Sequence, residues 1–159
     1  MALIIVGMAD LKVARAPDVL TTLGLGSCIG IALYDKAQAI GGLVHIMLPS
    51  SKMYPGQNLA KFADTGIDTL VKQLIAMGVK RAHMTAKIAG GAHMFGSTGT
   101  NDILKVGARN AEAVVDILTK MRIPIAASDT GGQYGRTIEL RSDTGQLTIK
   151  TVGFGVKTI

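Results

Sequence analysis

One cysteine and three histidines are the only soft nucleophile and imidazole bases in these 159 residues. The cysteine ends the stretch Thr21-Thr22-Leu23-Gly24-Leu25-Gly26-Ser27-Cys28. Gly24 and Gly26 bracket a small apolar residue and let the backbone turn tightly and pass close to another group. Such a turn, with Ser27-Cys28 at its exit, sets backbone N–H groups beside a thiol. A nucleophile and donors for an oxyanion are the parts of an acyl-transfer site. Cys28 can equally be a small buried hydrophobe, as lone cysteines commonly are.

The histidines divide by surroundings. His83 falls with Arg81 and Lys87 on the polar side of an alternating segment, which reads as solvated. His93 lies in a second glycine-rich stretch, Gly90–Thr100. His45 stands inside the apolar run Gly42-Leu43-Val44-His45-Ile46-Met47-Leu48, where an imidazole needs partners because an unpaired buried polar group costs about 1–3 kcal/mol. A satisfied core histidine is one outcome. The other depends on how the strands pair. If Ile29–Tyr34 and Ile40–Leu48 form a hairpin about residues 36–38, His45 falls level with residues 29–30, beside Cys28. An imidazole there would lower the thiol pKa by favouring a thiolate–imidazolium pair. Thr22, on the strand before the turn, is near enough in sequence to orient the ring.

Several other chemistries fail on spacing. A dinucleotide fingerprint would need glycine where Ile29 stands, and a helix after it. The stretch lacks the Lys-Ser/Thr of a P-loop, and one cysteine with three histidines offers no closely spaced metal-ligand pair. Neither metal nor cofactor is expected. Asp64 and Asp68 share a helix face as solvated residues.

The elements that would position these groups can be read along the chain. Strands are expected over Ala2–Val6, Asp10–Ala16, Val19–Thr22, Ile29–Tyr34, Ile40–Leu48, Arg81–Ile88 and Pro124–Asp129. A hairpin of Gly135–Arg141 and Gln146–Val152 should turn about Ser142–Gly145. Helices are expected over Asn58–Met77, where Leu59, Ala63, Ile67, Leu70, Val71, Leu74 and Ile75 form a stripe ending at Gly78, and over Val106–Met121, with Ala111, Val114, Val115 and Leu118 inward. Strands outnumber helices and several are joined by short turns, so mixed sheets with two helices packed outside fit better than a parallel βαβ array.

Composition sets the class. Hydrophobic residues are 48% and charged residues 18%, a globular balance, with one domain over 1–159. With no Trp, three Tyr and three Phe, the core must be aliphatic. A single cysteine makes no internal disulfide and points to a reducing compartment. The apolar start, Met1–Ala9, lacks a basic leader and is too short to span a membrane, so a cytoplasmic protein without membrane insertion is expected. The net charge of +6 suits an acidic macromolecular partner. The Lys and Arg residues form no run and do not interleave with aromatics, which speaks against nucleic acid.

Thr22–Cys28 followed by Val44-His45-Ile46-Met47-Leu48-Pro49 resembles the chemoreceptor glutamine deamidases of bacterial and archaeal chemotaxis (CheD). The likeness continues in Lys61-Phe62-Ala63-Asp64, Lys87–Ala92, Met94-Phe95, Gly107-Ala108-Arg109-Asn110 and Asp129-Thr130-Gly131-Gly132. The resemblance implies hydrolysis of glutamine side chains on chemoreceptor cytoplasmic helices to glutamate and ammonia. It implies a catalytic triad of Cys28, His45 and Thr22, with Gly24, Gly26 and Ser27 supporting the oxyanion turn. It also implies binding to a CheC-type phosphatase. The implied fold is α+β: mixed sheets forming a sandwich flanked by two main helices (α/β/β/α-like layers), similar to the catalytic domain of cytotoxic necrotizing factor toxins. Two other readings stand beside it. One is a regulatory module docking on a phosphatase or receptor with its chemistry secondary, and the other is a cysteine amidase or transglutaminase with another substrate.

Overall fold

The computed structural model of the chain describes residues 1–52, 56, 58–94 and 105–159. Ten strands form two five-stranded sheets. The first contains β1 (Leu3–Ile5), β3 (Val19–Leu25), β8 (Arg136–Arg141), β9 (Leu147–Thr151) and β10 (Gly155–Thr158), hydrogen-bonded in that order. The second contains β2 (Asp10–Arg15), β5 (Ile40–Ile46), β4 (Ile29–Asp35), β6 (Thr85–Gly90) and β7 (Ile125–Thr130), in that order. Each sheet is mixed, with one parallel pair, β1–β3 in the first and β6–β7 in the second. Two helices, α1 (Ala63–Ala76) and α2 (Val106–Lys120), complete the described fold.

The core has two compartments, and strand alternation sorts side chains between them. On β4 and β5, Ile29, Ile31, Leu33, Ile40, Val44 and Ile46 face Ile67, Leu70 and Leu74 of α1 and Val114 and Leu118 of α2. The alternate residues Cys28, Ala32 and Leu43 face the other sheet, meeting Leu20, Leu25, Ile138, Leu140 and Leu147. The second sheet is therefore covered on both faces, and β4 and β5 are buried along their whole length. The first sheet has one wet face, shown by the alternation of buried with half-buried or exposed residues along β8 and β9.

The α+β sandwich of mixed sheets with two helices is as expected. Both helices lie on the second sheet, so among the described residues the layers run helix, sheet, sheet, and polar side chains rather than a helix face outward from the first. Locally, several differences stand out. The helix expected from Asn58 begins only at Ala63, after a separate 3-10 turn over Leu59–Lys61, and Leu59, Ile75 and Val115 of the expected inward stripes are exposed. Arg81–His83 is a 3-10 turn, not strand; Lys80 enters it extended, and the alternation holds only from Met84 onward, so His83 is exposed on a turn. The strand expected to end at Thr22 continues to Leu25, because a bulge at Leu23–Gly24 absorbs one extra residue against β8. The last strand, β10, was not expected; its residues are all exposed and carry no inward alternation. Of the second glycine-rich stretch, residues 95–100 lie outside the described residues. No helix among those described is long and apolar enough to cross a membrane.

Candidate active site

Thr22 and His45 meet between the sheets, carried there by β3 and β5, and Cys28 lies in the bend that leads into β4. The hairpin of β4 and β5 turns at Asp35–Gln38, where Asp35 Oδ1 accepts the Ala37 N–H at 2.9 Å. That turn fixes the register Gly30↔His45. Directly opposed residues share a face, and Cys28, two residues before Gly30, shares it too. Cys28 precedes Ile29, the first paired residue, and packs with Leu25, Ala32 and Leu43 in the cluster between the sheets. Gly30, opposite His45, lets the two sheets pack closely; a Cβ there would lie 2.5 Å from Ile138 Cδ1 of the opposite sheet.

Thr22 reaches the site from the first sheet. Its Oγ1 lies 2.7 Å from His45 Nδ1 and donates its hydrogen to the Val6 carbonyl at 2.7 Å. A hydroxyl has one hydrogen, so with that hydrogen on Val6 the oxygen can only accept from the ring. Nδ1 must then carry the proton, and Nε2 is left with a lone pair. Nε2 is fully buried and has no hydrogen-bond partner among the described residues. The imidazole is therefore held in one tautomer with a bare base nitrogen in the inter-sheet space.

The turn carrying Cys28 is pinned at each carbonyl. Gly26 O accepts the Ala92 N–H and Cys28 O accepts the Gly91 N–H, each at 2.8 Å. Ser27 O accepts from Asn110 Nδ2 at 2.9 Å, and the same nitrogen donates to Met47 O at 2.9 Å. The approach of Gly90–Gly91 demands glycine: at Gly90, where φ is +115°, a Cβ would sit 2.2 Å from Cys28 O. The Gly26 N–H is taken by Gly24 O at 3.0 Å, so it is not a donor to a bound oxyanion.

Electrostatically, burial pushes the Cys28 thiol above its ordinary value, against the smaller downward pull of its own N–H. Burial likewise holds the His45 imidazole below its ordinary value of 6.5. The expected thiolate–imidazolium pair is therefore not the resting form. Desolvation of both groups favours neutral thiol beside neutral imidazole, and the proton moves only when charge is stabilised elsewhere. Cys28 retains 8% of its surface at the mouth, where the exposed Met94 covers Gly26 with its Cγ 3.2 Å from the position of a Cβ.

The other expected residues stand apart. His83 is on the outer turn, and Asp64 and Asp68 share a face of α1 as expected, Asp64 accepting from the Ser51 N–H and hydroxyl and Asp68 pairing with Lys72 at 2.8 Å. Sequence reasoning passed over Val6, Gly90 and Asn110 as parts of the site. Gly90 and Asn110 did lie within motifs carrying the family resemblance, the only signal available for them. No group of three or more His, Cys, Asp or Glu residues among those described could hold a metal ion.

Comparisons with known proteins bear on these residues. A family model described as CheD chemotactic sensory transduction matches residues 47–151, a span starting just past His45. Relatives align over nearly the whole chain. The probable chemoreceptor glutamine deamidase CheD of Lachnoclostridium phytofermentans is 54% identical over 97% of this chain and 96% of its own length. The protein of the same name from Caldanaerobacter subterraneus subsp. tengcongensis is 52% identical over the same shares. The chemoreceptor glutamine deamidase CheD of Bacillus subtilis is 47% identical, over 97% of this chain and 94% of its own.

Proposed function

The chain belongs to the CheD family, and from that premise we propose that it is a protein-glutamine deamidase acting on chemoreceptors through Cys28, His45 and Thr22. The observation that carries the reading is the Thr22–His45 bond at 2.7 Å, with the threonine hydrogen given to Val6. It leaves Nε2 as a base on the strand face that Cys28 shares, which is the arrangement a neutral thiol needs before it can attack an amide.

The reaction follows from these groups. His45 Nε2 takes the Cys28 proton as the sulfur bonds to the glutamine carboxamide carbon. The resulting oxyanion is met by the Cys28 backbone N–H. His45 returns the proton to the amide nitrogen, the C–N bond breaks, and ammonia leaves a γ-glutamyl thioester. Water, deprotonated by the same nitrogen, adds to that carbonyl; the C–S bond breaks, and His45 reprotonates the sulfur. The sum is glutamine plus water giving glutamate plus ammonia. Because thiol and imidazole rest neutral, the thiolate forms only as the substrate carbonyl offers a place for the charge.

The receptor glutamines lie on cytoplasmic helices, so the protein is assigned to the cytoplasm, where a lone cysteine stays a thiol. The same family membership supports a CheC-type phosphatase as the regulatory partner.

Co-expression of a receptor fragment with the wild-type protein should release ammonia and add about one dalton per modified glutamine, the amide-to-acid difference of thioester hydrolysis. Cys28→Ala should abolish both while still binding receptor and phosphatase. Full activity of that variant would end the enzymatic reading. Cross-linked product on adding primary amines would redirect it to a transglutaminase.

A further inference from the structure

We propose that Asn110 is a positioning residue for the deamidation, a clamp that sets the distance between the nucleophile and the base. This rests on the functional reading above and extends it to a residue outside the triad. Asn110 is fully buried, on the inner face of α2. Its Nδ2 uses both hydrogens on two different strands: one goes to Ser27 O, the carbonyl immediately before Cys28, and the other to Met47 O, two residues after His45. One planar NH2 group thus spans the gap between the arms of the hairpin at the end where the chemistry sits. The β4–β5 ladder stops at Ile29↔Ile46, so Cys28 and Met47 lie past the last paired residues. Beyond it, Asn110 does the joining.

The other half of the side chain argues that the amide is kept for its donors. Oδ1 of Asn110 is buried and has no partner among the described residues. An acceptor abandoned in this way is unfavourable, and an apolar residue would remove it. Turning the amide over would set Oδ1 against two carbonyl oxygens, so the orientation is fixed by its partners. A buried asparagine with one satisfied and one orphaned half is explained by what the satisfied half holds. The same helix face carries Gly107, one turn earlier, where a Cβ would lie 2.4 Å from Ala92 O. That close approach lets Asn110 reach the hairpin.

The test uses the full chain with Asn110→Leu, which keeps size and removes the donors, and Asn110→Ser, which keeps one donor. Ammonia release from a receptor fragment should show kcat lowered about a hundredfold in Asn110→Leu, the usual effect of misplacing a reacting group by about an ångström. KM should stay within about twofold, because binding is untouched. Asn110→Ser should recover part of kcat. A second readout needs no receptor: the pH titration of the His45 ring by NMR, with and without Cys28→Ala. Removing the sulfur should shift that titration in the wild-type background and shift it less beside Asn110→Leu, a loss of coupling a general loosening would not produce. Wild-type kcat in a folded Asn110→Leu protein overturns the proposal, as does undiminished coupling. So does loss of the fold in both variants, which would make the amide a support of the fold alone. If the wild-type protein released no ammonia, the deamidase reading would fail, and the coupling would still decide the role of Asn110.

Discussion

A neutral imidazole has two tautomers, and one threonine hydroxyl selects between them here. With its hydrogen on Val6 O, Thr22 can receive only Nδ1–H, and Nε2 is left as the base. Burial lowers the His45 pKa from its ordinary 6.5, which gives a sign to the pH dependence. The folded state resists protonation that the unfolded chain accepts, so stability is whole above 6.5 and is lost as pH falls from there through the folded value. Urea midpoints at about pH 7.5 and about pH 5.5 should differ more for the wild type than for His45→Gln, which cannot titrate. The acid limb of kcat should likewise lie below the ordinary histidine range, because the base stays available until the buried ring is protonated. An acid limb above that range would mean the ring gains a charged partner on substrate binding.

Elements matter here through how closely they approach, and the glycines at the approach points decide it. Gly107 opens the inner face of α2. In an exposed helix, Gly→Ala would gain about 1 kcal/mol from propensity. Here the added methyl meets Ala92 O at 2.4 Å and Gly91 C at 2.6 Å, backbone atoms that cannot swing aside. Overpacking of that kind costs about 1–3 kcal/mol, so the clash outweighs the propensity. Gly107→Ala should lower the urea midpoint and, by lifting α2 from Ser27, lower kcat as well. A variant more stable than wild type would show that α2 has room the structure does not give it. On the other side of the hairpin, the bulge at Leu23–Gly24, with Gly24 at φ +69°, interrupts the run of β3 pairs that begins at Val19 and resumes at Leu25. It lies just past Thr22, and the chain then crosses to the second sheet to deliver Cys28.

Across the whole molecule, a charged clasp ties the outer strands to the site. The Asp129 carboxylate, of which 13% is exposed, takes Arg136 Nε at 3.1 Å and Lys157 Nζ at 2.9 Å, and the Arg136 side chain is 1% exposed. Desolvation pushes the Asp129 carboxyl upward, but Lys157 and Arg136 together bring it below its ordinary 3.8. Its contribution is therefore whole above 3.8 and is lost as pH falls below that through the folded value. Arg136 also donates to Gly90 O at 3.3 Å, beside the segment holding Cys28. Asp129→Asn leaves a buried guanidinium without its counter-charge, and urea unfolding at neutral pH should show a loss of about 3–5 kcal/mol. A loss under about 1 kcal/mol would mean water reaches Arg136. Much of this architecture was legible in the chain itself. Periodicity gave the helices and most strands, and the short turn after Tyr34 set His45 level with residues 29–30, because a hairpin's register follows from its loop. Turn glycines and the single thiol marked where chemistry could sit. Other features were decided only when the sheets and α2 came together. These are the threonine hydrogen on Val6, the clamp of Asn110, the glycine beneath Cys28 and the neutral state of thiol and ring. Each joins residues far apart in the chain or depends on how much water packing removes, and neither quantity is written in local spacing.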